Sequence, residues 1–166
     1  YAQSTTQMID ILLATYNGEQ FLAEQIESIL AQTYQDWQLF VRDDGSTDNT
    51  LNILQKYAET YPQKITIYED DLHNLGAMHS FEQLLIKCAC NQYTMFCDQD
   101  DVWLPNKIEL IVKKMHEAEA RFANLPLVIH GDMIVVDKKL NSIHHSFWQY
   151  SHIRPEILDD KLYFLA

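Results

Sequence analysis

Four short apolar runs alternate with segments whose apolar residues recur at helical spacing, and few folds accommodate that alternation. The runs are Met8 to Ala14, Trp37 to Val41, Ile65 to Tyr68 and Tyr93 to Cys97. Between them, Phe21, Leu22, Gln25, Ile26, Ile29 and Leu30 predict a helix within 19–32. Leu51, Ile53, Leu54, Tyr57 and Ala58 predict one over 50–60, and Phe81, Leu84, Leu85 and Ala89 one over 76–90. Ile108, Ile111, Val112 and Met115 predict a fourth over 105–122, with Pro105 in its first turn. Strands joined through helices require right-handed crossovers, so the chain is expected to be α/β with a mostly parallel, helix-covered central sheet. Leu127 to His130 and Met133 to Val136 are expected to add two further short strands, with Lys138 to Asn141 as a polar turn. Beyond Ser142 the pattern is less legible.

In such a sheet, ligands gather outside the carboxyl ends of the strands. Three polar clusters fall there: Thr15-Tyr16-Asn17, Asp43-Asp44-Gly45-Ser46 and Asp98-Gln99-Asp100-Asp101. The third is the most demanding. Three carboxylates in four positions after a run that reads as a buried strand repel one another, and each requires water, a cation or a hydrogen-bonding ligand. Oxygen-only ligands suit a hard ion such as Mg²⁺ or Mn²⁺, with a diphosphate supplying further oxygens. An acidic surface turn is the competing reading of these residues taken alone.

Composition narrows the partners. The 166 residues carry 12 Lys and Arg against 24 Asp and Glu, a formal net charge of -12, which disfavours a nucleic acid polymer or an anionic membrane as a binding surface. A nucleotide diphosphate arriving with its metal ion is not excluded, because local charge decides there. Cys88, Cys90 and Cys97 have no metal or disulfide spacing and suit a reducing compartment, the first two as apolar fillers at a helix end and Cys97 as a buried strand residue. No apolar run reaches the roughly 18 residues of a membrane span. The isolated glycines give neither a Gly-Lys-Ser/Thr phosphate loop nor a dinucleotide fingerprint, and Ser46 lacks a nucleophile elbow. His130, His144 and His145 lack a second set of metal ligands.

In order along the chain, Ile11 to Gly18, Ser28 to Thr33, Asp43 to Asp48 and Asp98 to Asp101 together resemble the nucleotide-sugar domain of inverting glycosyltransferases of family 2, over about positions 8 to 140. Gln99 to Trp103 is most similar to bacterial rhamnosyltransferase-like enzymes of surface-polysaccharide assembly. The resemblance implies a glycosyltransferase A-type, Rossmann-like fold spanning 1–166, a UDP- or dTDP-sugar donor, Mn²⁺ or Mg²⁺, and a saccharide or lipid-linked acceptor. It also implies a cytoplasmic setting, with the inner face of the membrane reached through parts outside this chain. Thr15 and Tyr16 would lie at the nucleotide base, and Asp44 would accept from its imide N–H, with Asp43 as alternative partner or support. Asn74 and Gly76 would border the donor. Asp98 would meet the ribose or the metal, and Asp100 would hold the metal. Asp101 would orient a metal-bound water or cap the next helix, while Trp103 would border the sugar or anchor the loop.

One element of the family pattern is missing. Inversion requires a general base on the acceptor side, and no Asp or Glu here matches it. The base is expected beyond Ala166, in a chain truncated on its acceptor side. Asp132 sits too early and reads as support for the acceptor or metal region, and Asp159 and Asp160 lack the surrounding pattern. Two other readings stand beside transfer: a sugar nucleotidyltransferase, whose basic Gly-rich loop is absent from Thr15 to Glu19, and a noncatalytic nucleotide-binding domain.

Overall fold

A computed structural model describes residues 7–123 and 125–154. The chain divides into two compact units, Tyr1–Val112 and Lys113–Ala166. In the first unit β1 (Ile9–Thr15), α1 (Leu22–Leu30), β2 (Trp37–Asp43), α2 (Thr50–Thr60), β3 (Ile65–Ile67), α3 (Ala77–Lys87) and β4 (Tyr93–Asp98) follow one another, and α4 (Lys107–Arg121) begins at its end. The four strands form a parallel sheet in the order β3-β2-β1-β4. The expected alternation is therefore observed.

The central strand explains its own sequence. β1 is flanked by β2 and β4, and Ile9, Ile11, Leu12 and Leu13 are all fully buried, as a parallel strand covered on both faces requires. Each such side chain contributes about 1.5–3 kcal/mol of transfer free energy. Asp10, also fully buried, is satisfied by Cys90 N–H, Asn91 N–H and the Asn91 amide, each at 2.7 Å, which fastens the α3–β4 turn to β1.

α1 buries Leu22, Gln25, Ile26, Ser28 and Ile29. Ser28 in α1 and Gln32 just beyond its end are tied to the chain after β4. Ser28 Oγ accepts from Trp103 N–H at 3.0 Å, while Gln32 donates to Leu104 O at 2.8 Å and accepts from Ile108 N–H at 3.0 Å. The segment following the acidic loop is thus held against α1.

Several expectations are corrected. β4 is an edge strand among the described residues, so only Tyr93 and Cys97 are buried and Phe96 is exposed, meeting Phe81 edge-on at 5.4 Å. Cys88 is half-buried and Cys90 exposed, because the α3–β4 turn places them at the surface. Pro105 precedes α4 in a turn, and its carbonyl accepts from Thr33 N–H. Just before α2, Asp48 accepts from Thr50 N–H at 3.0 Å.

In the second unit Leu127 to His130 forms no strand. The expected second strand shrinks to β5 (Val135–Val136), which pairs antiparallel with β6 (Ser142–His144) from the less legible region. Asp137 closes the intervening turn by accepting from Lys139 and Asn141 N–H. A short α5 (Phe147–Tyr150) follows. Asp159 and Asp160 lie outside the described residues. Among the described residues no helix is long and apolar enough to cross a membrane.

Candidate functional site

The strand order creates a switch point. From β1 the chain moves outward to β2 and β3, then returns across β1 to β4, so the loops leaving β1 and β4 diverge. The carboxyl ends of adjacent parallel strands at such a point leave a crevice open for ligand. In register, Thr15 lies beside Asp43 and Ala14 beside Asp98. A cavity of about 450 Å³ opens here, lined by Ala14, Thr15, Tyr16, Asp44, Asn74, Gly76, Ala77, Ser80, Asp98, Gln99 and Asp100. Seven of the residues expected at the donor and metal site therefore share one cleft.

One wall is organised by hydrogen bonds around Arg42. Arg42 is only 1% exposed and its guanidinium reaches five acceptors. Nη1 donates to Asp44 Oδ1 and Ser80 Oγ, both at 2.8 Å. Nε donates to Asp70 Oδ2 at 2.9 Å, and Nη2 to Asp70 Oδ1 at 3.1 Å and Leu72 O at 2.7 Å. Asp44 in turn accepts from Leu75 N–H at 2.9 Å and Gly76 N–H at 2.8 Å. Asp44 is only 5% exposed, with its carboxylate at the cleft wall. Burial disfavours its charge, but the Arg42 bond and the two backbone N–H groups outweigh that and hold its carboxyl below the usual range. Asp70 is lowered first by Arg42 as well. Gly76, at φ +81, takes a backbone turn that a side chain would strain as the loop enters α3.

Asp43 is a turn support and does not line the cleft. Its carboxylate accepts from Gly45 N–H at 3.1 Å, Ser46 N–H at 2.8 Å, Ser46 Oγ at 2.6 Å and Thr15 Oγ1 at 2.9 Å. Thr15, 2% exposed, is spent on the same turn.

The opposite wall is held by Gln99. Its amide accepts from Tyr16 N–H at 2.9 Å and donates to Tyr16 O at 3.1 Å, fastening the acidic loop to the loop after β1. A Cβ on Gly18 would run into the Gln99 amide, so glycine there leaves room for this side chain. Tyr16 itself is 48% exposed, leaving its ring available to a ligand. Asp98 and Asp100 are exposed toward the cleft. Protein around the Asp98 carboxyl nonetheless strips part of its water, and with the Asp100 charge this raises its pKa. Asp101, half-buried, is raised by burial and by Asp98.

Lys107 partly compensates this acidic corner. Its ammonium sits 4.3 Å from the centre of the Trp103 ring and attracts both Asp98 and Asp101, while burial lowers its own pKa. Trp103, 3% exposed, packs behind the acidic loop and does not line the cleft. Among the described residues Asp101 accepts no hydrogen bond from the first turn of α4. Among the described residues no group of three His, Cys, Asp or Glu is assembled to hold an ion. Asp98 and Asp100 fit a hard cation that draws its remaining oxygens from a bound diphosphate.

Asp132 belongs to the second unit, where its Oδ1 accepts from Met133 N–H at 2.9 Å and Trp148 N–H at 3.1 Å. Sequence reasoning missed Arg42, Asp70, Ser80 and Gln99 as site builders. Arg42 had a detectable signal, a lone cation inside an apolar strand directly before two aspartates. Asp70 and Ser80 had none, because only the fold brings them to it.

Comparison with known proteins agrees with this geometry. The chain is 40% identical over 99 residues to the dTDP-rhamnosyl transferase RfbG of Shigella flexneri, covering 58% of this chain and 34% of that protein. It is 31% identical over 108 residues to the UDP-Glc:alpha-D-GlcNAc-diphosphoundecaprenol beta-1,3-glucosyltransferase WfgD of Escherichia coli, covering 65% and 41%. It thus spans well under half of either relative. Among solved structures, the mannosyltransferase PcManGT of Pyrobaculum calidifontis in complex with GDP-Man and Mn²⁺ superposes with a TM-score of 0.59 at 24% identity, over 66% of this chain and 32% of that one. Staphylococcus aureus TarS 1-349 in complex with UDP gives 0.59 at 21%, over 81% and 43%. These share the glycosyltransferase A-type fold. With the glycosyl transferase family 2 model matching residues 10–164, the chain belongs to that family.

Proposed function

We propose that the chain is the donor-binding domain of a metal-dependent inverting glycosyltransferase, which transfers a sugar from a UDP- or dTDP-sugar to a saccharide or lipid-linked acceptor in surface-polysaccharide synthesis. The observation that carries this reading is the single cleft shared by Tyr16, Asp44, Asp98 and Asp100 at the β1/β4 switch point. Family membership supports the reaction type, the name of RfbG supports a dTDP-sugar, and the UDP bound by TarS supports a uridine nucleotide. The Mn²⁺ bound by PcManGT supports the metal.

In this reading the exposed Tyr16 ring covers the nucleotide base. Asp44, kept ionised by Arg42, offers its remaining acceptor capacity to the base imide N–H. Asp98 takes the ribose or shares the ion, and Asp100 holds the ion. When bound, the ion offsets the negative charge that grows on the departing nucleotide diphosphate. Gln99 keeps Tyr16 and the acidic loop in fixed relation, so base and diphosphate are gripped together. The base that deprotonates the acceptor lies outside the described residues. Full-length protein screened against nucleotide sugars with Mn²⁺ or Mg²⁺, reading both binding and product linkage, tests the proposal. Metal-supported transfer from a uridine or thymidine diphosphate sugar is expected, and transfer at a normal rate without divalent ion would contradict the metal-dependent reading.

A further inference from the structure

Ser80 is 1% exposed, sits in the first turn of α3 and contributes to the cleft beside Asp44, Gly76 and Ala77. Its Oγ accepts from Arg42 Nη1 at 2.8 Å, and that nitrogen also donates to Asp44 Oδ1 at 2.8 Å. One side of the hydroxyl oxygen is therefore occupied by a cation that is itself locked by Asp70 and Leu72 O. The hydroxyl proton has no acceptor among the described residues. An O–H buried at the floor of a ligand cleft, with its oxygen already engaged, is a donor waiting for an acceptor.

The neighbouring Asp44 carboxylate is the complementary case. It is acceptor-only, and three of its roughly four lone-pair sites are taken by Arg42, Leu75 N–H and Gly76 N–H. The wall thus offers one free acceptor site, on Asp44 Oδ2, and one free donor, on Ser80, in two side chains that a single arginine nitrogen joins through Asp44 Oδ1 and Ser80 Oγ. Their complement is an N–H beside a C=O. Uracil and thymine carry that pair, as does the six-membered ring of guanine, whereas cytosine presents the reverse.

We propose that Ser80 is a specificity-determining residue that donates its hydroxyl proton to the base carbonyl flanking the imide N–H accepted by Asp44. The inference rests on the donor reading above and adds a second contact to the base. Lost as a pair, such contacts discriminate strongly, because a wrong base leaves buried polar groups unpaired.

The test uses UMP and CMP as probes in calorimetric titrations of the full-length protein, since a monophosphate reads the base wall without the metal-bridged diphosphate. Wild type is expected to prefer UMP. Ser80→Ala is expected to weaken UMP by about tenfold and leave CMP nearly unchanged, which narrows the ratio by the same factor. Ser80→Thr, which retains a hydroxyl, is expected to preserve the preference, with thermal melts verifying that both variants fold. A Ser80→Ala protein that weakens UMP and CMP equally would overturn the inference, because Ser80 would then act only by supporting Arg42. Unchanged UMP affinity would overturn it too. Wild type that binds UMP no better than CMP would instead overturn the uracil or thymine reading itself, and Ser80's role with it.

Discussion

The two walls of the cleft treat their carboxylates in opposite ways. On the Asp44 wall, Arg42 binds two aspartates, a serine and a backbone carbonyl, and Asp44 takes two further N–H groups, so the charges are satisfied before any ligand arrives. On the Asp98–Asp101 wall the carboxylates repel one another, and only Lys107 attracts them from behind. The first wall resembles a core and the second a site left incomplete. A base can be recognised by rigid, preorganised groups, whereas a cation must be paid for by negative charge held in reserve. The contrast predicts that substitutions on the two walls will separate stability from ligand binding.

The largest effect is expected at the acidic loop and on activity alone. Asp100→Asn in the full-length protein at saturating Mn²⁺ should lower transfer by several kcal/mol of transition-state stabilisation, about 10²- to 10³-fold, with little change in unfolding midpoint. Asp101→Asn, off the cleft lining, should do much less. Equal rates for Asp100→Asn and wild type would remove Asp100 from the mechanism.

Next in size is a stability effect on the other wall. Arg42→Met strips the partner from Asp44 and Asp70 together, and leaving such buried charges unpaired costs about 3–5 kcal/mol. Urea unfolding reads this directly, and a midpoint equal to wild type would mean that water satisfies both aspartates. Asp44→Asn should cost less, about 1–3 kcal/mol, because the amide retains one acceptor but turns an N–H toward donors already in place. It should also weaken uridine nucleotides.

The smallest effects are pH-dependent and of opposite sign. Asp44 and Asp70 have folded pKa values below their unfolded ones. Their stabilisation is therefore complete above the ordinary carboxylate range and is lost as pH falls through the depressed values. Asp98 and Asp101 are raised. As pH rises past the unfolded value the unfolded chain ionises first, so the folded state loses stability until the raised value is passed. Metal-free Asp98→Asn should accordingly melt slightly higher than wild type at neutral pH, and a lower melting point would show that the corner is not strained by its charge.

The sheet was legible because its signals are local and repeated. β1 reads as buried from its own unbroken apolar run, and α1 from its spacing. The cleft was legible as three polar clusters at strand ends, since parallel crossovers bring such ends to one rim. What the pattern could not give was solvent exposure. Asp44 and Asp100 look alike as letters, yet one is enclosed by Arg42 and the 70–76 loop and the other faces the cleft. Phe96 and the residues of β5 and β6 failed for a related reason. An edge strand and a two-residue ladder owe their state to neighbours that no local periodicity encodes.

On the proposed function, the incomplete acidic wall takes up a divalent ion together with a nucleotide diphosphate, while the opposite wall binds the base. Calorimetric titration of UDP with and without Mn²⁺, into wild type and Asp100→Asn, tests it most directly. Mn²⁺ is expected to tighten UDP on wild type and to have little effect on Asp100→Asn, with UMP affinity equal in the two proteins. UDP binding that ignores Mn²⁺ in wild type, or gains from it equally in both, would contradict it.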